Sequence, residues 1–213
     1  MEKRIDFTYQ ARYHQLGELN TKTKHLIFAL HGYGQQSKYF IRKFRSLVEY
    51  GICIIAPEGL NRFYLEGYSG RVGATWMTKE DRETDILNYL RYLNAIYAQL
   101  TTHCVNVTFL GFSHGAATAS RWVSSNKLVF QQLILWAGIF PPDLNVKDSS
   151  MILRDKKIIY VYGKKDEIIT ADRLNEMQNI SNQLDVSPTI LTFNGGHTVD
   201  EQLLKQLFVY NSG

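Results

Sequence analysis

The sequence predicts an α/β domain with a mostly parallel central sheet and helices on both faces. Three observations carry the prediction. Short, continuous apolar runs rich in β-branched residues recur along the chain, as expected of strands covered on both sides. Segments with apolar residues at helical spacing lie between them. Strands and helices therefore alternate, the order that builds a parallel sheet through crossover connections. The 213 residues suffice for a single domain over 1–213, and no repeat or Pro/Ser-rich linker marks a boundary.

The first dozen residues alternate, Ile5, Phe7 and Tyr9 against Asp6, Thr8 and Gln10, and read as a half-buried antiparallel strand. The core strands are expected at His25–Leu30, Ile52–Ala56, Val105–Leu110, Leu133–Ala137, Lys157–Tyr162 and Thr189–Phe193. Tyr39–Tyr50 and Asp81–Leu100 read as helices. In the second, Ile86, Leu90, Leu93, Tyr97 and Leu100 form one apolar stripe at steps of three and four. Ala116–Ser124, Ala171–Leu184 and Asp200–Tyr210 complete the helices. Pro57 to Thr78 shows no clear period and reads as a long loop, and loops of that length are usually functional. No insertion is long enough for a large lid domain.

Composition narrows the function classes. The net charge is +4, but Lys and Arg are interspersed with acids, as in Lys79-Glu80-Asp81-Arg82-Glu83. A nucleic-acid partner would call for a clustered basic face. Cys53 and Cys104 fall in apolar runs without CxxC or Cys/His spacing, so they read as buried thiols rather than metal ligands. The charged N-terminus is not followed by the apolar core of a secretory leader. The longest apolar stretch, Leu133 to Phe140, is far below the ~20 residues of a membrane span. The expectation is a cytoplasmic protein without integral membrane association.

In parallel sheets, ligands bind at the carboxyl ends of the strands, and the chemistry-bearing residues follow the apolar runs. Gly111-Phe112-Ser113-His114-Gly115 fits G-x-S-x-G. Chance alone gives about one such match in fifteen chains of this length, so the context matters more. The motif lies between a strand and the small-residue helix start Ala116-Ala117-Thr118-Ala119-Ser120, the strand–turn–helix of a nucleophile elbow.

A serine hydroxyl needs an imidazole to take its proton. Of the six histidines, His14, His25 and His103 read as surface or structural residues, and His114 adjoins the serine too closely to reach back. His197 follows the last strand through Gly195-Gly196 and is the expected base. Asp166, after Lys157–Tyr162, is the expected orienting carboxylate, with Glu167 its rival. The order Ser113, Asp166, His197 is that of the α/β-hydrolase fold. His31-Gly32-Tyr33-Gly34 follows the first core strand, so the oxyanion donors are expected to be the backbone N–H groups of Tyr33 and His114. His31 is expected to hold that loop in shape.

These segments resemble the phospholipase/carboxylesterase family of α/β-hydrolases, which includes acyl-protein thioesterases and small bacterial carboxylesterases. Leu30-His31-Gly32-Tyr33-Gly34 resembles its oxyanion loop, Gly111-Phe112-Ser113 its elbow, and Trp76 its tryptophan before the long helix. Ala137-Gly138-Ile139-Phe140-Pro141, Gly163-Lys164-Lys165-Asp166 and Gly196-His197 are similar to its remaining segments. The resemblance implies an acyl-enzyme mechanism on a small-molecule ester or thioester, with no metal or organic cofactor. It departs where His114 replaces the family's usual glutamine and Ala137 its usual serine. The stretch Leu60 to Arg71 is aromatic but also charged, which points to a shorter or more polar ester than a long lipid chain.

Trp76, Met77, Tyr64, Phe63 and Tyr68 are candidates for the pocket wall, with Ile139 and Phe140 opposite. A peptidase or amidase on the same triad is the competing enzyme reading. A binding protein that kept the hydrolase fold is the competing non-enzyme.

Overall fold

The computed structural model describes residues 1–101, 106–125 and 128–210. His103, Cys104 and Val105 lie outside the described residues. Seven strands form one sheet: β1 (Tyr13–Leu16), β2 (His25–Leu30), β3 (Ile52–Pro57), β6 (Val107–Phe112), β7 (Gln132–Trp136), β8 (Lys157–Gly163) and β9 (Thr189–Phe193). Their order is β1-β3-β2-β6-β7-β8-β9. Only β1 runs antiparallel, pairing Tyr13 with Pro57 and Leu16 with Ile54. The chain passes from β2 outward to β3, then crosses back to place β6 on β2's other side. That reversal opens a crevice at the carboxyl ends of β2 and β6.

Alternate residues of each central strand face opposite layers. Leu26, Phe28 and Leu30 meet one buried cluster, and Ile27 and Ala29 meet the other. The first layer holds α2 (Arg82–Leu100), α3 (His114–Ser125) and α5 (Ala171–Gln183) through Tyr89, Trp122 and Met177 among others. The second holds α1 (Ser37–Phe40), the 3-10 turns of Ile41–Tyr50, and α6 (Glu201–Lys205) with its following wide turns to Tyr210. Helices therefore cover both faces, as expected. The region expected to form one helix over Tyr39–Tyr50 is mostly the tighter 3-10 form. A helix the periodicity did not suggest, α4 (Val146–Leu153), is capped by Asn145, whose side chain accepts from the Asp148 N–H.

Two expectations need correction. Residues 1–12 form no strand, and Ile5 and Phe7 are exposed. Their partner strand gives out: Tyr13 already pairs with Pro57, the last residue of β3, so earlier residues would run past the sheet's edge. The Pro57–Thr78 stretch is not a loop but a hairpin of β4 (Asn61–Glu66) and β5 (Ser69–Thr75), bulged between Tyr64 and Glu66. This ribbon is exposed on most of its length, so no buried face imposes alternation on its sequence.

The buried Cys53 thiol donates to the Gly17 carbonyl across 3.7 Å. Among the described residues no helix is long and apolar enough to cross a membrane.

Candidate active site

The crevice between β2 and β6 is closed from below by the turn Gly111 to Gly115. Ser113 sits there in the left-handed region, at φ 55°. Such a conformation costs a non-glycine residue about 1–3 kcal/mol and persists only when its surroundings fix it. Here they do: the Ser113 N–H donates to the Trp136 carbonyl at 2.8 Å, and the Ser113 carbonyl accepts from Ala116 N–H at 2.9 Å. The flanking glycines answer to space. A Cβ on Gly111 would lie 2.2 Å from the Gly115 carbonyl oxygen, and one on Gly115 would lie 2.3 Å from that of Leu30. The turn thus lets α3 leave the sheet sharply, with its first N–H groups lacking partners in their own helix.

The loop expected to supply an oxyanion donor, His31 to Gly34, is held from three sides. The His31 ring is fully buried; its Nδ1–H donates to the Gly32 carbonyl at 2.8 Å, and its Nε2 accepts from the Gly59 N–H at 3.0 Å. This pair of bonds fixes a neutral tautomer. Burial pushes the His31 pKa down to about 4. Trp76 stacks on that ring at 4.9 Å, and its Nε1–H donates to the His31 carbonyl at 2.9 Å. From the other side, Gly34 N–H donates to Ala74 O at 2.9 Å and Ala74 N–H to Gln35 O at 3.1 Å. The β5 strand is therefore a clamp on the loop. Gly32 N–H is taken by Gln35 Oε1 at 2.9 Å, so both neighbours of Tyr33 are anchored. A Cβ on Gly32 would come within 3.3 Å of Ser113 Cβ, which sets how near the loop comes to the serine.

His197 lies in the loop after β9, its ring centroid 4.9 Å from that of Phe112, the residue before Ser113. Its Nδ1–H donates to Asp166 Oδ2 at 2.9 Å, leaving Nε2 as the second ring nitrogen. The Asp166 carboxylate is shielded from solvent, and its Oδ1 accepts from Ile168 N–H at 3.0 Å. Glu167, the next residue of the turn after β8, is exposed. The structure thus brings Asp166, not Glu167, to His197.

A cavity of about 270 Å³ opens at Ser113 and His114. Ile139 and Phe140 line it, as do Ile168 and Ile169, which the sequence reading did not single out. Arg121 and Arg173 also reach it. Arg121 is a buried cation that grips Asp143 with two hydrogen bonds of 2.9 and 2.8 Å, and Arg82 joins Asp143 at 2.7 Å. Burial alone would raise the Asp143 pKa, but Arg121 and Arg82 hold it down to about 2. The one arginine of α3 was the signal for this cluster. The other residues expected at the pocket are not in the lining of this cavity. Trp76 is buried beneath His31, Tyr64 is exposed on the hairpin, and Met77 Sδ sits 3.9 Å from Arg121 Nη1. Among the described residues no group of three or more His, Cys, Asp or Glu side chains is placed to hold a metal ion.

Among the described residues burial lowers the pKa of four histidines, His14 among them, and most strongly that of three. The pKa values of His25 and His31 are lowered to about 4, as is that of His114, where the Arg121 charge adds to burial. The unfolded chain protonates them near the ordinary ~6.5, so it binds more protons than the native state below that pH. Their contribution to stability is complete above pH ~6.5 and is lost as the pH falls toward 4. At pH 5.5 each should cost on the order of 1 kcal/mol, lowering Tm by roughly 5–10 °C in all. Thermal unfolding followed from pH 7.5 to 5 checks this, and a flat Tm would contradict it.

The family model for serine hydrolase (FSH1) matches residues 20–206 of the chain. A comparison with curated proteins by sequence gives no match. Several solved structures share the fold along nearly the whole chain. Acyl-protein thioesterase 2 of Zea mays is 15% identical with a TM-score of 0.72, covering 94% of this chain and 97% of its own. Esterase PE8 is 18% identical with a TM-score of 0.70, covering 95% and 98%. The carboxylesterase of Bacillus cereus is 13% identical with a TM-score of 0.67, covering 94% and 92%. At these identities the likeness concerns the α/β-hydrolase fold.

Proposed function

The chain belongs to the serine hydrolase (FSH1) family, and from that premise we propose that it cleaves carboxylic esters or thioesters through Ser113, His197 and Asp166. The hydrogen bond of the shielded Asp166 to His197, whose ring packs on Phe112 just before the serine of a strained elbow, carries this reading. Esterase, carboxylesterase and thioesterase neighbours of the same fold supply the substrate class.

In the mechanism, Asp166 keeps the proton of His197 on Nδ1, so Nε2 is free to accept the proton of Ser113 Oγ. The alkoxide attacks the carbonyl, and the oxyanion is met by the backbone N–H groups of Tyr33 and His114. Each such donor contributes about 2.7–4 kcal/mol to the transition state. The imidazolium, stabilised by Asp166, returns its proton to the leaving alcohol or thiol. Water then cleaves the acyl-enzyme by the same steps. His114 and His31, kept neutral by burial, add no positive charge to the site near neutral pH.

The acyl group occupies the cavity beside Ile139 and Phe140. Its 270 Å³ is about nine times the ~30 Å³ share of one water, room for a chain of roughly eight carbons. A nitrophenyl-ester series from acetyl to palmitoyl is expected to peak between butyrate and octanoate. The palmitoyl ester should be at least about tenfold poorer in kcat/KM. A palmitoyl optimum would reject the assignment of this cavity, and no turnover of any ester by folded protein would reject the esterase reading.

A further inference from the structure

A second concavity, of about 720 Å³, lies between the β4–β5 hairpin and the segment of α1 and the 3-10 turns. Five basic side chains line it, Arg12, Lys38, Lys43, Arg62 and Arg71, and no acidic one does. Two of them are compensated: Arg12 Nη2 lies 2.6 Å from the buried Glu58 Oε1, and Arg71 Nη2 lies 3.2 Å from Glu66 Oε1. Among the described residues no carboxylate lies within ion-pair distance of Lys38, Lys43 or Arg62. Three uncompensated like charges around one concavity repel each other, and its low-dielectric walls focus their field outward. An anion relieves that repulsion, and a multivalent one does so best.

The groove borders the proposed catalytic centre at two points. Gly34 and Gln35 of the oxyanion loop form part of its wall. At another point Lys43 Nζ lies 3.1 Å from Thr198 Oγ1, and Thr198 follows His197 directly. It shares no lining residue with the acyl cavity of Ile139 and Phe140. A substrate held at Ser113 therefore has separate room for its acyl group and its leaving group. The groove's volume lies within the ~300–1,000 Å³ of sites that enclose whole small molecules.

Resting on the ester or thioester reading above, we infer that this basic groove is a leaving-group subsite for an alcohol or thiol that carries phosphate. A phosphate matches the charge, and the Arg62 guanidinium can donate to two of its oxygens at once. In the step this implies for a thioester, Ser113 Oγ bonds to the acyl carbon and the C–S bond breaks. The electron pair leaves on sulfur, which takes the proton held by His197, and water later releases the acid and restores Ser113. The phosphate itself is unchanged. It lowers KM and gives the enzyme its choice among thiols of equal reactivity.

The test compares two thioesters with the same acyl group and the same thiol arm, butyryl-coenzyme A and butyryl-pantetheine, which lacks the phosphates. At low salt kcat/KM is expected to be at least tenfold higher for the coenzyme A thioester. The preference should shrink as sodium chloride is raised, because salt screens exposed charge. The double variant Lys38→Glu/Arg62→Glu, changed only at exposed positions, should bring the ratio close to one. A binding arm runs independently of turnover: calorimetry of free coenzyme A with Ser113→Ala protein, with and without the two charge reversals. At least tenfold weaker binding on reversal is expected. Equal kcat/KM for the two thioesters overturns the inference, as does coenzyme A binding that is absent or indifferent to the reversals. Binding that is lost on reversal, with neither thioester hydrolysed, upholds the groove and rejects the thioesterase reading instead.

Discussion

Replacement of Ser113 by alanine is expected to abolish labelling by a fluorophosphonate probe and to lower ester turnover by about 10⁴-fold or more. The substitution removes one oxygen and keeps the Cβ, so the contacts that fix the elbow remain. Those are backbone bonds, from Ser113 N–H to Trp136 O and from Ala116 N–H to Ser113 O. Alanine at φ 55° meets much the same backbone cost as serine. Loss of activity with an unchanged Tm would therefore report the chemistry and not the fold. Labelling that survives in the alanine variant would move the nucleophile elsewhere and sink the assignment.

The second large effect is expected at Asp166→Asn, about 10⁴-fold in kcat. The direction follows from the orientation of the side chain. Asp166 Oδ1 accepts the Ile168 N–H at 3.0 Å, and only the carbonyl oxygen of asparagine can take over that bond. The NH₂ group is then turned toward His197 Nδ1, to which it donates. That selects the tautomer with its proton on Nε2, which cannot accept from Ser113. The exposed Glu167 makes a sharp contrast: Glu167→Gln should change kcat by less than about twofold. Comparable losses from both substitutions would mean that the carboxylate acts through the general field of the site and not by orienting His197.

Much of the architecture was legible because the signals are local and repeated. A run such as Ile52–Pro57 is buried along its whole length and needs no context to read as a strand covered on both faces. The strand order was less accessible, since it depends on which runs pair, but the G-x-S-x-G turn already pointed to the carboxyl ends. Failures came where a segment's environment is set by distant partners. Ile5, Phe7 and Tyr9 alternate as a strand would, yet β3 ends before it can pair with them. The Asn61–Thr75 hairpin is exposed on most of its length and so carries no clear period, although the backbone of its buried end clamps the Gly34–Gln35 loop. Trp76 read as pocket wall because an aromatic before a long helix suits either role; packing against His31 put it in the core.

The sequence by itself determined the parallel α/β framework and the candidate serine, histidine and backbone donors, because these depend on spacing along the chain and on strand–turn–helix chemistry. Only the tertiary structure decided which of two adjacent carboxylates faces His197, because in an irregular turn side-chain direction follows from packing and not from position. It also decided the charge distribution. Arg12, Lys38, Lys43, Arg62 and Arg71 are scattered among other residues along the chain, and folding gathers them into one groove beside the proposed site with no acidic side chain in its lining.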